Sequence, residues 1–173
     1  MLLVFSAKGQ NIGIKSNLLY DVTSTFNIGM EVGFAPKWTL ELPVNYNPWS
    51  FPKNRKLKHW GVQPEARYWF CERFIGHFIG LHGIVGGYNV GGLKMFGIDE
   101  HRYDGNLYGG GVSYGYQWLF NKRWSMEATV GVGYVFLDHA KFPCGTCEAK
   151  IGDFTKSWFG PTKAGISLIY IIR

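Results

Sequence analysis

Along most of this chain, apolar and polar residues alternate one by one, which is the period of a β-strand. From Trp38 to Tyr46, one face is wholly apolar and begins and ends with an aromatic ring. The opposite face carries Thr39, Glu41 and Asn45. Four further segments repeat the pattern and begin at Trp60, Tyr108, Trp124 and Trp158. The repetition predicts a protein built from amphipathic strands.

The aromatic residues at the strand ends set a length that can be compared with a membrane. The step from Trp60 to Phe70, in a strand tilted by roughly 40°, spans about 25 Å. That is the height of the apolar band between the aromatic girdles of an outer-membrane barrel. We therefore expect ten rings to form two membrane girdles: Trp38, Tyr46, Trp60, Phe70, Tyr108, Trp118, Trp124, Tyr134, Trp158 and Tyr170.

Alternation and turn residues together predict eight strands. They lie at about 11–21, 26–35, 37–47, 59–70, 75–89, 107–120, 124–137 and 158–171. Long connections at 48–58, 90–106 and 138–157 alternate with short turns, as outer loops and periplasmic turns do in outer-membrane barrels. The predicted fold is all-β, an eight-stranded antiparallel up-and-down transmembrane β-barrel over residues 10–173. Because proline cannot donate to a ladder, we expect bulges at Pro43 and Pro64.

Composition is consistent with this fold. The 24 glycines and 17% aromatic residues favour short strands and tight turns, and no run of eighteen apolar residues exists to form a membrane helix. Residues 1–9 are expected to be the remnant of a secretion signal peptide, with a short N-terminal strand as the alternative.

The inward faces of the predicted strands carry charge. An eight-stranded barrel is just wide enough for its own side chains, so we expect a plugged polar lumen. Because buried charges are costly unless paired, four acids, three bases and a histidine are expected to form a salt-bridge network there. These residues are Lys15, Glu31, Glu41, Glu65, Arg67, His82, Glu127 and Lys163. An ion or proton path is the alternative.

The net charge of +6 suggests a negatively charged partner, either nucleic acid or an anionic membrane surface. The densest basic segment lies among aromatic residues without any nucleic-acid signature, so we exclude nucleic acid as a partner. Its members Lys53, Arg55, Lys56 and Lys58 are expected to face lipopolysaccharide phosphates, with an ordinary solvated loop as the alternative.

Two cysteines, Cys144 and Cys147, lie close together in the last long connection. We expect them to form a disulfide that stiffens the loop. The alternatives are free thiols or a metal site completed by His139 and Asp153. Cys71 lies in a turn at the opposite end of the barrel and is expected to be a free thiol.

Small outer-membrane barrels include lipid-modifying enzymes, and a catalytic group would have to lie near the outer interface. His59, His139 and Ser157 are the candidates. They are isolated in the sequence, without a nucleophile motif around them. We therefore expect no catalytic site, no cofactor and no metal.

Four runs of sequence carry a family resemblance: 45–49, 63–74, 113–118 and 159–164. They resemble an uncharacterised family, DUF3575, of small outer-membrane β-barrel proteins from Bacteroides-type bacteria. The resemblance extends from about Ile14 onward. It implies the outer membrane of a Gram-negative bacterium, an architecture similar to the small OmpA and OmpX barrels, and a role tied to surface-adhesin or fimbrial assembly. The family has no established functional residues to transfer.

The leading hypothesis is a non-enzymatic outer-membrane barrel that serves as an anchor, scaffold or loop-presenting surface protein. Its expected partners are outer-membrane lipid, lipopolysaccharide and a surface protein. The second hypothesis is an outer-membrane lipid-modifying enzyme. The third is a soluble lipocalin-like carrier, whose aliphatic faces would turn inward around a ligand.

Overall fold

The structure is a computed structural model that describes residues 12–48, 50–51, 55–93, 98–143 and 152–172. At 50–51, 55–57, 89–93, 98–104, 139–143 and 152–154 it describes the backbone alone. The elements in chain order are β1 Ile12–Asn17, α1 Leu18–Val22, β2 Phe26–Ala35, β3 Trp38–Asn47, β4 Ser50–Phe51, β5 Arg55–Val62, β6 Glu65–Trp69, β7 Gly76–Leu93, β8 Ile98–Leu119, β9 Trp124–Pro143 and β10 Gly152–Ile172. Of the residues described, none forms a helix long and apolar enough to cross a membrane.

The strands form one antiparallel sheet that closes on itself. The first and last strands meet, with Ile12 of β1 opposite Ile172 of β10. β5 and β6 occupy a single place in the sheet, because both pair with β3 on one side and with β7 on the other. β4 only lengthens the hairpin with β5. The chain is therefore a closed eight-stranded antiparallel β-barrel, and the all-β prediction is confirmed.

The prolines inside the strands do not produce the expected bulges. Val44 pairs with Val62 and Glu41 pairs with Glu65, which is the same register on both sides of Pro43 and Pro64. No residue is inserted, and Pro64 merely divides β5 from β6 because it has no N–H to donate. The expectation of bulges at both prolines was wrong.

Bulges occur elsewhere, and one of them reorients part of β10. The register between β9 and β10 shifts between Pro161 and Lys163. A bulge places one extra residue in a strand, so the faces of the residues on either side change phase. If the alternation continued unbroken from the outward Ala164, Trp158 would also point outward. Because of the bulge, the residues of β10 before Pro161 point to the opposite face from the one that this alternation predicts.

The first predicted strand is shorter than expected because Asn17 starts a helix. Its side-chain oxygen accepts the Leu19 backbone N–H at 3.1 Å, which caps α1. The same side chain bonds the backbone of Ala164 and Ile166 at 3.4 and 3.3 Å. Asn17 thus ends the β1–β10 ladder and begins α1 at the same point.

Much of the predicted loop at 90–106 and 138–157 is strand. Gly91 pairs with Arg102, and Lys141 pairs with both Tyr103 and Gly152. β5 and β7–β10 therefore continue beyond the ends of β1–β3, and we call these extensions the tall wall. On the other side the rim is low and carries α1. In the sequence of the extensions, polar residues stand at odd and even positions alike, so the alternation that predicted the barrel strands is missing there.

Candidate functional site

The end of the barrel interior beside the short turns is apolar. Trp69 packs against Phe78 and Phe74, with ring centroids 4.7 and 6.1 Å apart. Ile169 and Ile171 join Phe74 in a buried cluster. This apolar floor was not predicted from the sequence. The signal was present, because Trp69 is the next inward position of β6 after Glu65 and Arg67, and Ile169 is the next inward position of β10 after Ser167.

Above the floor, Arg67 lies fully buried among four carboxylates. Its guanidinium contacts Glu65 at 2.8 Å, Glu31 at 3.0 Å and Glu127 at 2.8 and 3.1 Å, and it also contacts Glu41. The two contacts to Glu127 form a bidentate pair, the strongest geometry for an arginine and a carboxylate. One side chain thereby joins acids from three neighbouring strands and from β9 across the barrel.

Two lysines complete the cluster. Lys15 contacts three of the carboxylates, at 2.6 Å to Glu31, 3.1 Å to Glu127 and 3.3 Å to Glu41. Lys163 contacts Glu41 at 3.1 Å and also contacts Glu65. Each base therefore serves several acids, and the ions form one connected group, which we call the ionic layer.

Hydroxyl groups donate further hydrogen bonds to three of the four carboxylates. Thr39 donates to Glu31 at 2.5 Å, Thr129 to Glu127 at 2.6 Å, and Ser113 to Glu65 at 2.9 Å. The Trp69 indole N–H donates to Thr39 at 2.9 Å and links the ionic layer to the floor. Arg67 also lies over the Phe78 ring, 4.4 Å from its centroid.

His82 lies directly opposite Glu65 in the β6–β7 ladder, but its hydrogen bond goes to Thr162 and not to the seven other residues predicted for this network. It is 2% exposed, and its Nε2 lies 2.9 Å from the Thr162 hydroxyl. The β10 bulge turns Thr162 inward beside it, where Gln63 also donates to the Thr162 carbonyl oxygen at 3.2 Å. His82 Nδ1 has no hydrogen-bond partner among the described residues.

The outer surface of the barrel is apolar. Leu40 is 51% exposed and Val130 is 64% exposed, whereas their strand neighbours Glu41 and Thr129 are buried. The same inversion holds around the barrel for other large residues, including Ile14, Ile28, Met30, Leu42, Leu81, Val112, Val132, Ile166 and Leu168. We call this surface the exposed apolar band.

Most of the aromatic residues predicted for the girdles lie at the edges of this band. Near the short turns, Trp38 packs against Tyr68 and Trp124 against Tyr170, with centroids 5.2 and 5.1 Å apart. At the other edge, Tyr108 stacks on Phe136 at 5.4 Å. Tyr46, Trp60, Phe70, Trp118 and Tyr134 are also exposed.

Trp158 departs from the predicted girdle. It pairs with Val135, which is buried, while Phe159 pairs with the outward Tyr134. Because directly opposite residues share a face of the sheet, Trp158 lies on the inward face and Phe159 occupies the outward position. The bulge between Pro161 and Lys163 is the cause.

The remaining sequence-predicted candidates lie outside the ionic layer or outside the described residues. Residues 1–9, Lys53, Cys144 and Cys147 lie outside the described residues. Arg55, Lys56 and His139 are described by backbone alone, Lys58 and Ser157 are exposed, and His59 is half-buried at the mouth. Cys71 is exposed and free. Within the described part of the chain, no group of three or more His, Cys, Asp or Glu residues could hold a metal ion.

The fold and the placement of charge define a small closed antiparallel β-barrel with an ionic interior and an apolar exterior. The model of a family described as protein of unknown function (DUF3575) matches residues 1–172, and the chain belongs to that family. The predicted family resemblance is confirmed. No match was found among curated proteins or among solved structures.

Replacing Arg67 by methionine should destabilise the barrel strongly, because four buried carboxylates would lose their common partner. Removing one member of a buried ion pair costs about 3–5 kcal/mol. Guanidinium chloride unfolding followed by tryptophan fluorescence measures the loss. Arg123→Met, in an exposed turn, is the matched control and should change stability by less than about 0.5 kcal/mol. Equal midpoints for the two variants would contradict the central role of Arg67.

Proposed function

We propose that this protein spans the outer membrane of a Gram-negative bacterium as a plugged, non-enzymatic barrel and presents its tall wall to a partner at the cell surface. The observation that carries the proposal is the inverted placement of side chains, with the exposed apolar band outside and the ionic layer inside. A bilayer removes the cost of exposing such a band to water.

The inversion argues against a soluble carrier. In a lipocalin-like barrel, Leu40 and Val130 would point toward a central ligand, and Glu41 would be hydrated outside. The exposures have the opposite sense at all three positions. A bilayer also requires that every backbone N–H and C=O group within it be hydrogen-bonded inside the protein. A closed antiparallel barrel meets this requirement because it leaves no open strand edge within the apolar band.

The interior supports a barrel that does not conduct. The apolar floor closes one end, and the ionic layer immediately above it joins β1, β2, β3, β6, β9 and β10. Any ion crossing this level would have to separate ion pairs that are each held by several contacts. We therefore assign the charges to stability rather than to transport.

The working surface in this proposal is the tall wall. With the short turns in the periplasm, the tall wall stands on the outer side, where it reaches surface partners. Lys58 lies two residues beyond Trp60, at the outer edge of the exposed apolar band, and is exposed. This position suits contact with lipopolysaccharide phosphates. The surface partner proposed for the tall wall is a protein, in keeping with a role in adhesin or fimbrial assembly.

A charge introduced into the exposed apolar band should be harmful in proportion to its depth. Val130→Arg, near the middle of the band, should cost about 2–4 kcal/mol in lipid, whereas Val85→Arg, opposite Tyr108 at the girdle, should cost about 0–1 kcal/mol. Reversible folding into lipid vesicles measures both. In a water-soluble barrel, both arginines would be hydrated and equally harmless, so equal effects would contradict the membrane assignment.

Removing the tip of the tall wall should leave the barrel intact. Phe136 pairs with Ser157, so deletion of residues 141–156 leaves 137–140 as a short connection between β9 and β10. The variant should still fold, shift its mobility on heating in detergent gels, and lose binding of the surface partner. Complete loss of folding would show that this segment is structural and would contradict its assignment as a presenting surface.

A further inference from the structure

Above the ionic layer, the barrel interior opens into a pocket of about 320 Å³. The strand register places the pocket inside. Asn45 pairs with Gly61, Gly61 with Gly86, and Gly86 with Leu107. Asn45 lies on the same face of β3 as the buried Glu41, so this whole row faces inward. The pocket therefore occupies the mouth at the level where the tall wall begins.

The chemistry of the pocket differs from that of the ionic layer below it. Ile84 and Leu107 supply an apolar wall, and Tyr20 and Tyr88 supply two rings. Amide, hydroxyl and imidazole groups come from Asn45, Gln63, Thr162 and His59. Among the described residues that line the pocket there is no Asp, Glu, Lys or Arg. Such walls fit an uncharged ligand that has one apolar face and a hydrogen-bonding edge.

Tyr20 is held over the mouth by α1. It lines the pocket and also a smaller cavity of about 30 Å³ beneath it, beside Lys15 and Glu41. Burial raises the pKa of Tyr20, which keeps the phenol neutral and able to donate a hydrogen bond. The ring thus separates the charged interior from the pocket and presents a neutral surface to a ligand.

The polar side of the pocket is organised by the β10 bulge. Thr162 is turned inward, and its hydroxyl and carbonyl are engaged by His82 and Gln63 at 2.9 and 3.2 Å. Behind Thr162, the buried His82 retains an Nδ1 atom without a partner among the described residues. Groups that are already positioned bind a ligand without a further ordering cost.

We propose that this pocket binds a single neutral sugar residue, such as the terminal residue of a glycan. A sugar ring has an apolar face for the tyrosine rings and a hydroxyl edge for the amide and hydroxyl groups. The volume lies at the lower end of the range for small-molecule sites, which suits one ring. The inference rests on the proposed function only in that the mouth would face the outside of the cell.

The test fills the pocket at Gly61. A Cβ added there meets nothing closer than the Val85 carbonyl oxygen at 3.7 Å, so the Cβ of Gly61→Leu is accommodated and the rest of the side chain extends into the pocket. Gly83→Leu is the matched control. Its added Cβ meets nothing closer than 3.9 Å, and Gly83 alternates with His82, so it lies on the outer face of β7.

Purified full-length protein in detergent is titrated with neutral hexoses, 6-deoxyhexoses and N-acetylhexosamines, and binding is followed by saturation-transfer NMR. At least one neutral sugar should bind to the wild type. Gly61→Leu should weaken this binding about tenfold or more, whereas Gly83→Leu should leave it within about twofold. If Gly61→Leu does not fold, Thr162→Val, which replaces the hydroxyl by a methyl group of similar size, should weaken binding about fivefold or more.

Three results would overturn the proposal. They are the failure of every neutral sugar to bind to the wild type, equal binding by a folded pocket-filled variant, and equal or tighter binding of a uronic acid or an aliphatic alcohol of similar size. Because the titration is made in detergent, a negative result does not depend on membrane orientation. The Val130 and Val85 variants test the proposed function separately.

Discussion

The pairing of Arg67 with four buried carboxylates is the constraint on which the rest of the structure depends. A buried ion is tolerated only with its partners in place, and these partners come from β2, β3, β6 and β9. A slip of one residue in any of these strands would move a carboxylate to the apolar outside and leave the arginine short of a partner. The ionic layer therefore fixes strand register and barrel closure together.

The same requirement divides the interior into levels with different chemistry. The apolar floor around Trp69 excludes water below the ions, and the neutral pocket at the mouth separates them from the outer side. With charge confined to the inside, the outer faces of the strands are left to Leu40, Val130 and their equivalents. Membrane insertion, a lumen closed to ions and a surface-exposed wall then follow as one connected proposal.

Much of this arrangement could be predicted from the sequence, because apolar and polar residues alternate with a period of two wherever the two faces of a strand differ in polarity. Glu31, Glu41 and Arg67, which the alternation places on one face of their strands, are buried in the structure. The prediction of strand bounds and faces failed where this alternation is interrupted or where both sets of alternating positions are polar. The β10 bulge places Trp158 and Thr162 on the inward face, and Asn17 ends β1 by capping a helix. In the sequence of the tall wall, polar residues stand at odd and even positions alike. None of these features leaves a periodic signal.

The central claim is that the apolar outer face of the barrel contacts lipid while the ionic face does not. Nitroxide labels placed one at a time along β9 from Ser125 to Tyr134, in a cysteine-free background reconstituted in bilayers, test it most directly. Collision rates with oxygen should alternate with a period of two and peak at Met126, Ala128, Val130 and Val132. A flat profile, maxima at Glu127 and Thr129, or strong collisions of the Val130 label with a water-soluble nickel chelate would contradict the claim.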